Sequence, residues 1–129
     1  NIKNFFDVRE GTCHQIMMEK GNILPGQVAL GIERSISAYG SVGALTCHLN
    51  VPEMARLWAE GKRRMTVPET VKIVINGKLS RGISAGDIIL HIRKNIEAGK
   101  ISNRVIEFHG SVVSQMTISE RFSLTHLAS

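Results

Sequence analysis

Cysteine and aromatic residues are scarce in this chain of 129 residues, which has two cysteines, one tryptophan and one tyrosine. Cys13 and Cys47 form no Cys-x-x-Cys pair, so the sequence carries neither a zinc knuckle nor a dense disulfide framework. One disulfide between them is possible in principle, but a reduced pair is favoured, which predicts a cytoplasmic protein. HExxH metalloprotease motifs and glycine-rich phosphate loops are also missing.

Long apolar runs are missing as well. No run approaches the ~20 residues that a membrane-spanning helix needs, and no signal-peptide pattern opens the chain. We therefore expect no membrane partner. The composition, 43% hydrophobic and 21% charged, is that of a soluble domain able to bury a core. The first residue is asparagine rather than methionine, so we expect that the sequence could begin inside a longer gene product.

The charge balance is basic, with 16 lysines and arginines against 11 acidic residues. Such an excess suits either a nucleic-acid partner or an ordinary basic enzyme. The one basic cluster, Lys62-Arg63-Arg64, is not interleaved with the aromatic side chains on which bases stack. The sequence therefore argues against nucleic-acid binding, which stays a weak alternative.

The stretch around which the chain is organised covers residues 25–45, PGQVALGIERSISAYGSVGAL. Its apolar part, 28–32, predicts a strand, and the polar patch Glu33-Arg34-Ser35 predicts a loop that leads into a close-packed helix start. In α/β proteins, ligands bind outside the carboxyl ends of strands. We therefore expect residues 33–39 to line the chemical centre of the protein.

Strand and helix patterns alternate along the rest of the chain, which predicts α/β layers with crossover helices. Strands are predicted at 4–8, 28–32, 70–77 and 104–110, and helices at 12–21, 52–61, 84–99 and from Thr117 or Ser119 onward. Ser84 is predicted to cap the helix at 84–99, with Asp87 at its third position as a capping-box variant. The basic, proline-containing connector at 63–70 is a candidate domain boundary.

Several side chains are assigned to packing by their spacing. Met54, Leu57 and Trp58 recur at helical spacing, which predicts a face turned to the core. His91 neighbours an isoleucine stripe, which predicts a packing role. His48 follows Cys47 directly, and neighbouring residues on a helix point apart, so we predict no metal site there.

His14 falls in the first turn of the helix predicted at 12–21. The helix dipole pushes a histidine there toward its neutral form, which can accept a proton. A histidine that only satisfies a local carbonyl group is the alternative.

The chain resembles the large subunit of 3-isopropylmalate dehydratase and the related homoaconitases and aconitases over nearly its whole length. The segments that carry the resemblance are FDVREGTCHQIMMEKGNILPGQ, AYGSVGAL, MARLWAEGK, VIEFHG and, most specifically, VPETVKIVINGKLSRGISAGDIILHI. The resemblance implies an aconitase-like three-layer α-β-α fold. It places residues 1–66 at the end of one α/β domain and 67–129 at the start of the next, within a longer subunit.

The resemblance also implies a chemistry, that of a lyase which interconverts 2- and 3-isopropylmalate by dehydration and rehydration in leucine biosynthesis. The family uses a [4Fe-4S] cluster in which one iron, free of cysteine, acts as the Lewis acid. The three cysteines that hold this cluster lie downstream in the family, so no metal ligand is expected in this chain. The implied partners are the remainder of the large subunit, a separate small subunit and a hydroxy-acid substrate.

The resemblance carries site residues over one by one. His14 in CHQ matches an active-site histidine, and GIERSI stands where the family reads Gly-Thr-Asp-Ser-His-Thr. It therefore implies catalytic roles for His14 and Glu33, and substrate binding by position for Arg34, Ser35 and His126. Serine cannot replace a titrating imidazole, and a glutamate displaces the carboxylate by a methylene relative to aspartate.

Two interpretations follow from this pattern of kept scaffold and altered loop. The scaffold match favours a piece of a hydro-lyase. The changed GIERSI loop and the missing cluster cysteines favour a catalytically inactive aconitase-fold fragment or binding module.

Overall fold

A computed structural model describes residues 3–129, apart from the side chain of residue 98. Its helices are α1 (Cys13–Glu19), α2 (Val51–Glu60), α3 (Ala85–Asn95), α4 (Ser111–Gln115) and α5 (Ile118–Leu127), with 3₁₀ helices at Arg34–Val42 and Ala98–Lys100. Its strands are β1 (Val28–Gly31), β2 (Leu45–His48), β3 (Thr70–Val74) and β4 (Val105–His109). Within residues 3–129, no helix is long and apolar enough to cross a membrane.

The strands form two parallel pairs. β1 lies beside β2 with Val28 opposite Leu45, and β3 lies beside β4 with Thr70 opposite Val105. Parallel neighbours cannot be joined by a tight turn, so each pair needs a crossover. The longer 3₁₀ helix lies within the first connection and α3 within the second. The predicted α/β class with crossover helices is thus confirmed.

Two predicted elements before residue 45 differ in the structure. Residues 4–8 are irregular rather than a strand, because β1 pairs with β2 and the apolar pattern at 4–8 finds no neighbouring strand. Residues 33–39, predicted as a loop that leads into a helix start, instead form the N-cap and most of the 3₁₀ helix Arg34–Val42. Gly43, with a φ of 77°, ends the 3₁₀ helix and lets the chain turn into β2.

Most of the buried side chains belong to two clusters. One includes Ile88 and Ile89 of α3 with Leu124 of α5, and the other includes Ile36 and Tyr39 of the longer 3₁₀ helix. Helix α5 packs on both α3 and that 3₁₀ helix. Thr125 Oγ1 lies 3.4 Å from the Ala38 carbonyl oxygen at this contact, although its single hydrogen has a nearer acceptor within α5, the Arg121 carbonyl oxygen at 3.0 Å.

Helix α2 lies where the sequence predicted it, but its apolar face is not in the core. None of its residues is fully buried, and Trp58 is 77% exposed. The prediction that Met54, Leu57 and Trp58 turn to the core was therefore wrong, because no helix or strand of residues 3–129 packs extensively on α2. His91 is also exposed rather than packed, on the outer face of α3.

Local capping explains why three helices begin where they do. Ser84, Asn50 and Thr117 each accept a hydrogen bond from the backbone N–H of the third residue of their helix. The carboxylate of that third residue in turn accepts a bond from the backbone N–H of the cap. Such a reciprocal pair satisfies backbone N–H groups that a helix start leaves unpaired. The Ser84–Asp87 box was predicted from sequence in this form.

Acid is expected to weaken the start of α3. Hydrogen bonds from the hydroxyl and then the backbone of Ser84 lower the pKa of Asp87. A carboxyl group with a lowered folded-state pKa stabilises the fold above its unfolded pKa, about 3.9 for aspartate, and loses that contribution as the pH falls through the folded value. Urea unfolding measures this between pH 7 and pH 2. The free energy of unfolding should fall less with decreasing pH in Asp87→Asn than in the wild-type chain. An unchanged pH slope in this variant would contradict the assignment.

Candidate functional site

The polar patch Glu33-Arg34-Ser35 lies at the carboxyl end of β1. Glu33 is the N-cap of the longer 3₁₀ helix, with extended backbone angles of −90° and 137°. Glu33 and Arg34 are exposed and Ser35 is half-buried. Within residues 3–129 these three side chains make no hydrogen bond or ion pair, so their polar atoms stand open to a ligand.

Gly31 allows the 3₁₀ helix to follow β1 so closely. A Cβ atom on Gly31 would lie 2.7 Å from Cγ2 of Ile36, closer than real side chains approach one another. The 3₁₀ helix is therefore packed directly onto the end of the strand, and the position of Glu33 follows from that packing.

Two of the predicted site residues meet in space. The ring centroid of His14, on α1, lies 6.3 Å from that of His126, on α5, with the planes 26° apart. Phe122 packs beside both, at 5.3 Å from His14 and 6.0 Å from His126. We refer to His14, Phe122 and His126 as the ring cluster. It forms because α1 and α5 both pack on the longer 3₁₀ helix.

The ring cluster has an unsatisfied polar atom. Nδ1 of His126 is buried and has no hydrogen-bond partner among the described residues. Leaving a buried nitrogen unpaired costs free energy, so such an atom is a candidate contact for a ligand or for another part of the protein. Histidine takes up and releases protons near neutral pH, and the cluster holds two half-buried imidazoles side by side.

The structure does not join the ring cluster to the Glu33 patch. No hydrogen bond or ring contact of residues 3–129 connects His14 or His126 with Glu33, Arg34 or Ser35. The contact between His14 and His126 was not predicted from sequence, nor was the role of Phe122. Phe122 and His126 are four residues apart on one helix, and this spacing was the available signal that they share a face.

A separate groove lies elsewhere in the structure. It encloses about 1230 Å³ and is lined by residues of both parallel strand pairs and of α5, mostly with apolar atoms. Neither the ring cluster nor Glu33 lines it. Ser37 and Arg121 do, and each has one buried polar atom without a partner in the described part of the chain. The chemistry-bearing side chains favour the ring cluster over this groove as the candidate site.

The two cysteines are free and lie on different elements. Cys13 opens α1 and is exposed, whereas the half-buried Cys47 on β2 donates to the His48 carbonyl oxygen over 3.7 Å. Across residues 3–129, no three cysteine, histidine, aspartate or glutamate side chains are placed to hold a metal ion. A [4Fe-4S] cluster needs at least three thiolates, so the donors in this chain do not fit one.

Tyr39, the single tyrosine, interacts with Cys13, the residue that precedes His14. Tyr39 is buried, and burial together with the charge of Cys13 and a hydrogen bond to it raises the pKa of Tyr39 to about 12. The phenol of Tyr39 is therefore held in its neutral form next to the start of α1.

The titration of Tyr39 can be followed directly, because it is the only tyrosine. Its near-ultraviolet absorbance should change with a midpoint near pH 12 rather than near the ordinary ~10. A raised folded-state pKa stabilises the fold below pH ~10 and loses that contribution as the pH rises through the folded value. Cys13→Ala should lower the midpoint but leave it above 10, since burial remains, and Cys47→Ala should not move it. An equal response to both substitutions would rule out the Cys13 contact as a cause.

The architecture defines an α/β protein built from parallel strand pairs with helical crossovers, and its candidate site, the ring cluster, lies where α1 and α5 pack on the longer 3₁₀ helix. Over residues 1–129 the sequence matches the aconitase family (aconitate hydratase), and the chain belongs to that family. The resemblance seen in the sequence is thereby confirmed.

Several curated relatives are similar along the whole chain. It is 39% identical over 127 residues to the 3-isopropylmalate dehydratase large subunit 1 of Methanopyrus kandleri, covering 98% of this chain and 30% of the relative. It is 38% identical to a probable 3-isopropylmalate dehydratase large subunit of Methanothermobacter thermautotrophicus, again over 98% of this chain and 30% of the relative. A probable methanogen homoaconitase large subunit of Methanosarcina mazei is 30% identical over 99% of this chain and 33% of its own length. The chain thus spans about a third of the length of these relatives.

Proposed function

We propose that this chain forms part of an aconitase-family hydro-lyase of the 3-isopropylmalate dehydratase type. Family membership and the names of its relatives support this function. The reaction interconverts 2- and 3-isopropylmalate by removing and adding back water, as a step of leucine biosynthesis in the cytoplasm.

The observation that carries the proposal is the ring cluster. His14, which the resemblance singled out, lies half-buried beside a second imidazole whose Nδ1 has no partner in the described residues. Dehydration needs a group that assists departure of the hydroxyl and a group that takes a proton from carbon, and a positioned side chain can take the proton. His14 and Glu33 are proposed as the catalytic residues. Arg34, Ser35 and His126 are proposed to bind the hydroxy-acid substrate.

The cofactor of the family is assigned outside this chain. A [4Fe-4S] cluster supplies the Lewis acid in such hydro-lyases. Its ligands would come from cysteines of another segment or chain, because the two cysteines here are too few and lie on separate elements. The residues of this chain would supply proton transfer and contacts to substrate oxygens.

The proposal also covers domains and partners. We assign residues 1–66 to the end of one aconitase-like α/β domain and residues 67–129 to the start of the next. Each range contains one parallel strand pair, β1–β2 in the first and β3–β4 in the second, which supports the division. The relatives are named large subunits, so we propose a separate small subunit and the remainder of a large subunit as partners.

A specific observation favours a second candidate, an inactive aconitase-fold module. Ser35 stands where the resemblance places a histidine, and Glu33 and Arg34 are exposed without polar partners in the described chain. A loop of this kind could bind a ligand without turning it over.

Anaerobic purification from the native source distinguishes the two candidates. Iron, sulfide and the intact mass of each co-purifying chain are measured, and the preparation is assayed with 3-isopropylmalate and with aconitate. Iron, together with a cysteine-bearing partner and turnover of 3-isopropylmalate or aconitate, is the result expected for the hydro-lyase. An iron-free preparation without activity would overturn it in favour of the inactive module.

A further inference from the structure

His48 ends β2 and reaches across to the neighbouring strand. Its Nε2 lies 2.8 Å from the carbonyl oxygen of Ile32, the first residue after β1. Beside it, the Leu49 N–H donates to the Gly31 carbonyl oxygen, also over 2.8 Å. The side chain of His48 therefore adds one further hydrogen bond where the backbone pairing of β1 and β2 ends.

The Ile32 carbonyl group belongs to the peptide plane that contains the Glu33 N–H. Peptide groups are planar, so a bond that holds the Ile32 oxygen also fixes the direction in which the backbone enters Glu33. On the other side, the Glu33 carbonyl oxygen accepts a bond from the Ile36 N–H over 3.3 Å. Both peptide planes that flank Glu33 are thus held, one of them by a side chain.

We propose that His48 is a positioning residue, which holds the Ile32–Glu33 peptide and so sets the direction of the Glu33 side chain. The inference rests on the proposed function in that Glu33 is the carboxylate whose placement matters. Displacing a reacting group by ~1 Å can cost ~10²-fold in rate, so the orientation of this peptide has a consequence for chemistry.

The bond specifies the state of the imidazole. A carbonyl oxygen only accepts, so the hydrogen must be on Nε2 of His48, and in a neutral ring Nδ1 is then unprotonated. Glu53, at the start of α2, interacts electrostatically with His48 and is itself bonded to Arg63 over 2.9 Å. The positioning role thus needs an N–H donor at the Nε2 position rather than a positive charge.

This requirement makes the role testable with two amides of different length. Glutamine can place its amide N–H near the position of Nε2, whereas asparagine is one methylene shorter. In the full chain, His48→Ala and His48→Asn should raise hydrogen exchange of residues 32–36 by roughly two- to tenfold, and His48→Gln should restore slow exchange. His91→Ala, which changes another exposed histidine, is the matched control, and exchange in β3 should be the same in all variants.

A second readout comes from the ring itself. Nitrogen-15 chemical shifts of the neutral imidazole should identify the Nε2–H tautomer of His48. The proposal is overturned if the alanine variant exchanges at the wild-type rate, if glutamine behaves like alanine, or if the neutral ring carries its hydrogen on Nδ1. These measurements need no turnover, so the proposed function can fail in the purification experiment while the positioning role is still upheld or rejected.

Discussion

Replacing Gly110 with alanine is expected to lower the free energy of unfolding by roughly 3–5 kcal/mol. Gly110 has a φ of 107°, which side chains on L-residues rarely adopt. An added Cβ would overlap the carbonyl oxygen of Ile75 and lie 2.8 Å from Oδ1 of Asn76. Two penalties therefore add at this position, backbone strain and a collision with main chain that has no room to move.

The collision occurs where the chain that follows β4 is hydrogen-bonded to the chain that follows β3. Ser111 donates its N–H to Oδ1 of Asn76, and Val112 donates to the carbonyl oxygen of Ile75, both over 3.1 Å. These bonds hold the chain after β4 against the end of β3. Moving Gly110 away from Ile75 would break them.

Gly77→Ala is the matched control for Gly110→Ala. Gly77 has nearly the same φ, 106°, but a Cβ there would meet nothing within 4 Å. Its cost should be the backbone strain alone, about 1–2 kcal/mol. Urea unfolding of both variants measures the difference, and equal losses would show that the contact with Ile75 contributes nothing.

Substituting His14 with asparagine is expected to reduce the kcat of the native holoenzyme by roughly 10²- to 10⁴-fold, with a smaller change in KM. The expectation rests on the proposed role of His14 in proton transfer. Asparagine can hydrogen-bond but cannot take up a proton, so binding of the substrate should persist while turnover falls.

Two further variants show whether the loss comes from proton transfer. Phe122→Leu removes the ring that packs beside both histidines but keeps an apolar side chain, so kcat should fall less than it does in His14→Asn. His91→Asn changes an exposed histidine on α3 and should leave turnover unchanged. If the kcat of His14→Asn stays within threefold of the wild-type value, a difference of ~0.65 kcal/mol in activation free energy, His14 is not a catalytic residue.

The features that local sequence predicts well are those in which neighbouring residues satisfy each other. The Ser84–Asp87 capping box, the start of α2 near Pro52 and the strand patterns of β3 and β4 were all found in this way. Each depends on bonds or side-chain alternation within a few residues. The resemblance to the aconitase family, confirmed over the whole chain, also came from sequence alone.

The errors have the opposite origin. The 4–8 stretch has the apolar pattern of a strand but finds no neighbouring strand, and Trp58 has helical spacing but no helix or strand packed extensively opposite it in the described chain. Hydrophobic spacing states which residues share a face. It does not state whether another element covers that face.

For the candidate site too, some features follow from local sequence and others only from tertiary packing. The sequence by itself determined the α/β class, the helix starts, the family and the choice of His14, Glu33, Arg34, Ser35 and His126 as candidates. Only the tertiary structure decided that His14 lies beside His126 and that His48 bonds to the Ile32 carbonyl oxygen. The physical reason is that caps and patterns arise from bonds within one turn or strand, whereas these contacts depend on how α1 and α5 pack on the 3₁₀ helix and how β1 pairs with β2.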